Sequence, residues 1–92
     1  MYKEQELKPH RIVVLGGGES GVGAAILAKD KGMDVFLSDY GTIAPRYVEM
    51  LQAEEIPFEQ GKHTMELILN ADEVVKSPGI APTLPVMQAI AG

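Results

Sequence analysis

A chain of 92 residues with 46% hydrophobic and 23% charged side chains has the size and composition of one soluble globular domain, neither disordered nor membrane-spanning. Thirteen acidic against eight basic residues give a net charge of −5, which offers no field for a nucleic-acid backbone or an anionic membrane, so any phosphate must be gripped locally. The absence of cysteine removes disulfides, thiolate metal sites and cysteine nucleophiles, and the polar start through residue 11 lacks the apolar stretch of a secretory signal, so a cytoplasmic location is expected.

The first apolar run, Ile12-Val13-Val14-Leu15, breaks into Gly16 and suits a parallel strand buried on both faces. Residues 21–31 place Val22, Ala25, Ile26 and Lys29 on one helical stripe, with Gly32 as a C-terminal stop. A second strand follows over residues 35–38, ending at Asp39, and completes a right-handed strand–helix–strand unit. A second helix is expected from Pro45, in its first turn, through Tyr47, Val48 and Leu51 to Glu54 and Glu55. Residues 56–59 form a weak third strand, which Pro57 confines to an edge. A short helix over residues 65–69, a fourth strand over 73–76 stopped by Ser77-Pro78-Gly79, and a helix over 82–91 complete the series.

This alternation predicts an α/β fold, a Rossmann-like doubly wound parallel sheet of order 3-2-1-4, with a fifth strand missing from what reads as a fragment. The switch point then lies between the first and fourth strands. The loops over 16–21 and 77–80 would face each other there, beyond the C-terminal strand ends, where such folds bind ligands.

Gly16-Gly17-Gly18-Glu19-Ser20-Gly21 matches G-x-G-x-x-G between a strand and a helix. Gly16 is assigned to the tight turn, Gly18 to close ligand approach and Gly21 to helix–strand packing. The amides of Gly18, Glu19 and Ser20 would receive a phosphate at a positive helix end. Asp39, at the end of the second strand, can accept hydrogen bonds from a ribose or a base, or serve as a turn aspartate.

Gly61-Lys62-His63 lacks the earlier glycine and the Ser or Thr of a triphosphate-gripping loop. His10 and His63 read as solvated surface histidines, and the methionines at 33, 50, 65 and 87 as core fillers. No catalytic constellation and no metal site is expected. The pattern also suits the NAD(P)-binding domain of a dehydrogenase, a regulatory ligand-sensing module, or an α/β module whose turn stays empty.

Taken together, the loop from Leu15 to Gly23, the Ser38-Asp39 strand end and Lys76-Ser77-Pro78-Gly79-Ile80 resemble the start of the D-glutamate-adding Mur ligases, the UDP-N-acetylmuramoylalanine–D-glutamate ligase family. The resemblance covers nearly the whole chain but only about the first fifth of such an enzyme. It implies an N-terminal domain, residues 1–92, that holds the UDP of UDP-N-acetylmuramoyl-L-alanine for peptidoglycan and cell-wall synthesis, with roles in cell shape and division. ATP, Mg2+ and D-glutamate would be bound by further domains, leaving this part inactive alone.

The residues that carry over as substrate-binding are Gly18, Glu19, Ser20, Gly21, Asp39, Tyr40, Ser77 and Gly79. Tyr40-Gly41 stand where some members carry hydroxyl or basic residues, and Glu19 where others have Leu or Lys. Tyr40 is placed to stack on uracil.

Overall fold

The computed structural model describes residues 9–76. In chain order these form β1 (Arg11–Leu15), α1 (Glu19–Asp30), β2 (Asp34–Asp39), α2 (Pro45–Ala53), β3 (Phe58–Gln60), α3 (Met65–Ile68) and β4 (Glu73–Lys76). The turn expected over 77–80, the helix expected over 82–91 and Met87 lie outside the described residues.

All four strands are parallel in the order β3-β2-β1-β4, the expected Rossmann-like arrangement. Ile12 pairs with Val35 on one side and with Glu73 on the other, and Leu15 lies level with both Ser38 and Lys76. The C-terminal ends of β1, β2 and β4 therefore finish together.

The apolar run of β1 is buried because each sheet face has its own cover. Ile12, Val14, Val35 and Leu37 pack with Val22, Ala25 and Ala28 of α1 and Leu51 of α2. Val13, Leu15 and Phe36 pack on the opposite face with Ile68 of α3. Successive strand side chains point to opposite faces, so a strand covered on both sides shows no polar alternation.

Several boundaries differ from the sequence expectation. Helix α1 starts at Glu19, two residues before Gly21, because Gly18 serves as its N-cap and the fingerprint's last glycine lies inside the first turn. Its end is as expected, with Gly32 at φ +84° and the Met33 N–H donating to Ala28 O at 3.1 Å.

Helix α2 stops at Ala53, short of Glu54 and Glu55. Glu55 takes the left-handed conformation at φ +58°, and the Ile56 N–H closes the end on Leu51 O at 2.9 Å. Strand β3 is an edge strand as expected, but it begins after Pro57, whose carbonyl accepts the Leu37 N–H at 3.1 Å. Met33 and Met65 pack against the core, whereas Met50 is 42% exposed and fills no gap there.

Arg11 ties together the N-terminal end of the sheet. Its guanidinium donates to Asn70 Oδ1 at 2.9 Å, Asp34 Oδ2 at 3.1 Å and Leu67 O at 2.6 Å, and it lies 5.8 Å from the Phe36 ring centroid. Hydrogen bonds to a charged group are worth about 1.5–3 kcal/mol, and this side chain is only 18% exposed. Arg11→Met, which keeps the stem but removes the donors, should lower stability by about 1–3 kcal/mol in urea denaturation with little change in slope.

Candidate functional site

The loop after β1 is held by its first two amides. Gly16, at φ +108°, makes the tight turn assigned to it and donates its N–H to Ser38 O at 2.9 Å. The Gly17 N–H donates to Asp39 Oδ2 at 2.7 Å. Helix α1 then opens without a side-chain cap, and its first internal bond runs from Val22 N–H to Gly18 O at 2.9 Å.

Between these points, the N–H groups of Gly18, Glu19, Ser20 and Gly21 have no acceptor among the described residues. Four such amides at a positive helix end can receive an anion, toward which the dipole would contribute about 0.3–1 kcal/mol. Glu19 is exposed in the first helical turn, where its carboxylate also meets that dipole favourably.

The glycine whose size the fold itself requires was not singled out from sequence. A Cβ on Gly17 would sit 2.8 Å from Ile43 Cγ1 and 3.2 Å from Asp39 Oδ2. A Cβ on Gly18 would meet nothing within 4 Å. Gly17 thus admits the neighbouring loop, while Gly18 leaves open space beside the free amides. Gly21 is buried.

Asp39 joins the loops rather than standing free. Oδ2 accepts the Gly17 N–H, Oδ1 accepts the Gly41 N–H at 2.8 Å, and the Asp39 carbonyl accepts the Gly61 N–H at 2.9 Å. It is therefore a turn aspartate, and each carboxylate oxygen retains capacity for a second donor.

Beside it, Ser38 is fully buried, and its Oγ lies 2.8 Å from Glu59 Oε2, 2.6 Å from His63 Nδ1 and 3.3 Å from Lys62 O. Glu59 also accepts the Thr64 N–H at 2.7 Å and the Thr64 hydroxyl at 2.6 Å. Burial opposes its charge, but the Thr64 and Ser38 hydrogen bonds and the Lys62 ammonium outweigh that, holding the carboxyl below its ordinary 4.5.

The histidine expectation holds for His10, which is exposed, and needs correction for His63. His63 is not a solvated surface group: it is half-buried against Ser38, and burial lowers its pKa from 6.5 against the opposing pull of Glu59 and Asp39. Its ring centroid is 5.6 Å from that of Tyr40, which is 60% exposed. His10 is exposed but lies 3.3 Å from Glu73 Oε1 and 3.9 Å from Asp72 Oδ2. Among the described residues no group of three His, Asp or Glu could hold a metal ion, and no helix is long and apolar enough to cross a membrane.

The structure thus brings Gly18, Glu19, Ser20, Gly21, Asp39 and Tyr40 to the C-terminal ends of β1 and β2, while Ser77 and Gly79 lie outside the described residues. Ser38, Glu59, His63 and Gly17 were missed. An apolar groove of about 200 Å³ between Leu27, Met33 and Ile12 lies at the opposite end of the sheet and contains none of the candidate residues.

A parallel sheet of this order, with a glycine loop between its first strand and first helix, defines the Rossmann-like class of doubly wound α/β domains. The family described as Mur ligase MurD-like, N-terminal domain, matches residues 10–92, and the chain belongs to it.

The chain is 62% identical over 81 residues to UDP-N-acetylmuramoylalanine–D-glutamate ligase of Porphyromonas gingivalis strain ATCC 33277, covering 87% of the chain and 18% of that protein. Proteins of the same name from Bacteroides thetaiotaomicron (56% over 77 residues; 84% and 17% covered) and Chlorobium chlorochromatii (46% over 78; 85% and 17%) are also similar. The chain therefore spans less than a fifth of the length of these curated relatives.

Gly17→Ala should lose about 1–3 kcal/mol of stability through overpacking, while Gly18→Ala should stay within about 1 kcal/mol of wild type, both read by urea denaturation. Acid should act in two stages. The depressed His63 pKa gives stability that is complete above 6.5 and is lost as pH falls through the folded-state value. The depressed Glu59 pKa gives stability that is complete above 4.5 and is lost below it. In thermal melts at stepped pH, Glu59→Gln should be less stable at neutral pH and show a smaller decline below pH 4.5.

Proposed function

We propose that this chain is the UDP-substrate-binding N-terminal domain, residues 1–92, of an ATP-dependent ligase that adds D-glutamate to UDP-N-acetylmuramoyl-L-alanine in peptidoglycan synthesis. The observation that carries this reading is the set of amides at Gly18–Gly21 without an acceptor among the described residues, in a member of the MurD-like N-terminal family. The names of the similar proteins support it.

In that role the Gly18, Glu19, Ser20 and Gly21 amides receive the diphosphate, and the spare capacity of Asp39 receives a ribose or base donor. Tyr40 stacks on the uracil. Ser77 and Gly79, carried over from the family's Ser-Pro-Gly turn, complete the set of substrate-binding residues.

The ligation forms an amide by attack of the D-glutamate amine on a substrate carboxylate that ATP has activated as an acyl phosphate, with inorganic phosphate leaving. The residues described here do not fit ATP and Mg2+: Gly61 at φ +82° is bonded to Asp39 O and Gly41 O, Lys62 is followed by His63, and no acidic trio is present among them. Those groups belong to the remainder of the ligase, and this domain alone is inactive. The reaction belongs in the cytoplasm.

Titration of the 92-residue chain with UDP and with NADH, followed through backbone amide shifts, tests the reading. UDP should move the Gly18–Gly21 amides with a dissociation constant of about 1 mM or weaker, because the other walls of the site are missing. Gly18→Val should keep the fold and abolish those shifts, since its side chain fills only the ligand's space. A response to NADH with none to UDP would favour the dehydrogenase-type alternative.

A further inference from the structure

Ser38 is the one polar side chain in the buried stretch Val35–Ser38 of β2, and its hydroxyl must serve more neighbours than it has protons. Oγ lies within hydrogen-bond reach of Glu59 Oε2, His63 Nδ1 and Lys62 O, but it carries one hydrogen. The ionised Glu59 is acceptor-only and is the strongest acceptor of the three, so the Ser38 proton points to it. The remaining Oγ lone pairs then face His63 Nδ1 at 2.6 Å. A bare Nδ1 there would set lone pair against lone pair, so Nδ1 must carry the hydrogen.

In the neutral ring this leaves Nε2 unprotonated and turned away from Ser38. Among the described residues Nε2 has no hydrogen-bond partner. The groups facing this imidazole are Glu59 of β3, Asp39 at the end of β2, and the Tyr40 ring.

We propose that His63, fixed as the Nδ1–H tautomer by Ser38 and Glu59, is a specificity-determining residue whose Nε2 accepts the imide N3–H of a uracil base lying against Tyr40. This rests on the UDP-substrate reading. A chain of contacts supports the placement: the free amides adjoin Gly17, Gly17 is bonded to Asp39, Tyr40 follows Asp39, and the Tyr40 ring meets His63. An anion at one end and a nitrogen acceptor beside an exposed aromatic ring at the other match a nucleoside diphosphate whose base offers an N–H. Ser38 and Glu59 act only through His63 and are positioning residues.

The test combines one chemical and two protein changes in the 92-residue chain, with 15N-histidine spectra recording the tautomer. UDP and N3-methyl-UDP are the probes. In wild type, His63 should show the Nδ1–H pattern, UDP should shift its Nε2 resonance, and N3-methylation should weaken binding about tenfold. His63→Phe should reduce that methylation penalty to about twofold or less while UDP still moves the Gly18–Gly21 amides.

Ser38→Ala should shift His63 toward the Nε2–H form and shrink the penalty in the same way. If that variant does not fold, the His63→Phe comparison decides alone. An Nε2–H tautomer in wild type, or an equal methylation penalty in wild type and His63→Phe, overturns the proposal and leaves the UDP reading standing. Failure of UDP to move the Gly18–Gly21 amides overturns both.

Discussion

The Asp39 carboxylate is the constraint on which the site depends. One oxygen holds Gly17 after β1 and the other holds Gly41 after β2, while the carbonyl of the same residue holds Gly61 after β3. A charged acceptor makes each amide bond stronger than its neutral counterpart, and a partly buried Gly17 amide left without it would bear its full desolvation cost. The clasp also determines where donors remain available. With Gly16 bonded to Ser38 O and Gly17 to Asp39, the amides of this loop that lack an acceptor among the described residues are those at the start of α1. Gly17 must lack a side chain because its amide is drawn up to the same carboxylate that a Cβ would crowd.

The polar relay beneath Tyr40 has a comparable geometric origin. Phe36 and Ser38 alternate onto the sheet face covered by α3, which has only four residues and reaches Val13, Leu15 and Phe36 through Ile68. At the end of β2 that face is filled by Glu59, His63 and Thr64 instead of an apolar helix. A buried hydroxyl is tolerable there because Glu59 and His63 both lie within hydrogen-bond distance of it. The cost of such a network is sensitivity: each member constrains the protonation of the next, so the histidine ring, its tautomer and the serine rotamer are set together.

Legibility in the sequence followed the range of the interaction. The continuous apolar run of β1 and the crossover rules were enough for the strand order, because each is local or topological. The start of α1 was misplaced because the fingerprint's third glycine was read as the helix beginning, when Gly18 already caps it. The left-handed Glu55 breaks the usual preference for glycine at that position, so no residue type announced the end of α2. His63 looked solvated because its partner lies 25 residues away on another strand. The available signal was Ser38: a serine in the buried stretch of β2 must find partners, and Glu59 of the neighbouring strand and His63 of the loop after it supply them. Gly17 was hidden by the motif itself, which names its first, third and sixth positions and leaves the second unassigned.

In the proposed role the same sheet separates two kinds of recognition that a nucleotide requires together. Charge would be met at the start of α1 by backbone amides, which accept any anion of suitable shape and carry little information about what is attached to it. Identity would be read by side chains whose donors and acceptors are fixed, past β2 and β3 on the α3 side. Asp39 stands between the two, bonded to the phosphate-type loop through Gly17 and followed directly by Tyr40. Movement of this residue would displace both ends at once. The spacing between the start of α1 and the Tyr40–His63 pair is therefore tied to one carboxylate and its hydrogen bonds, and under the proposed function the sheet that fixes those backbone positions would act as the ruler for the ligand.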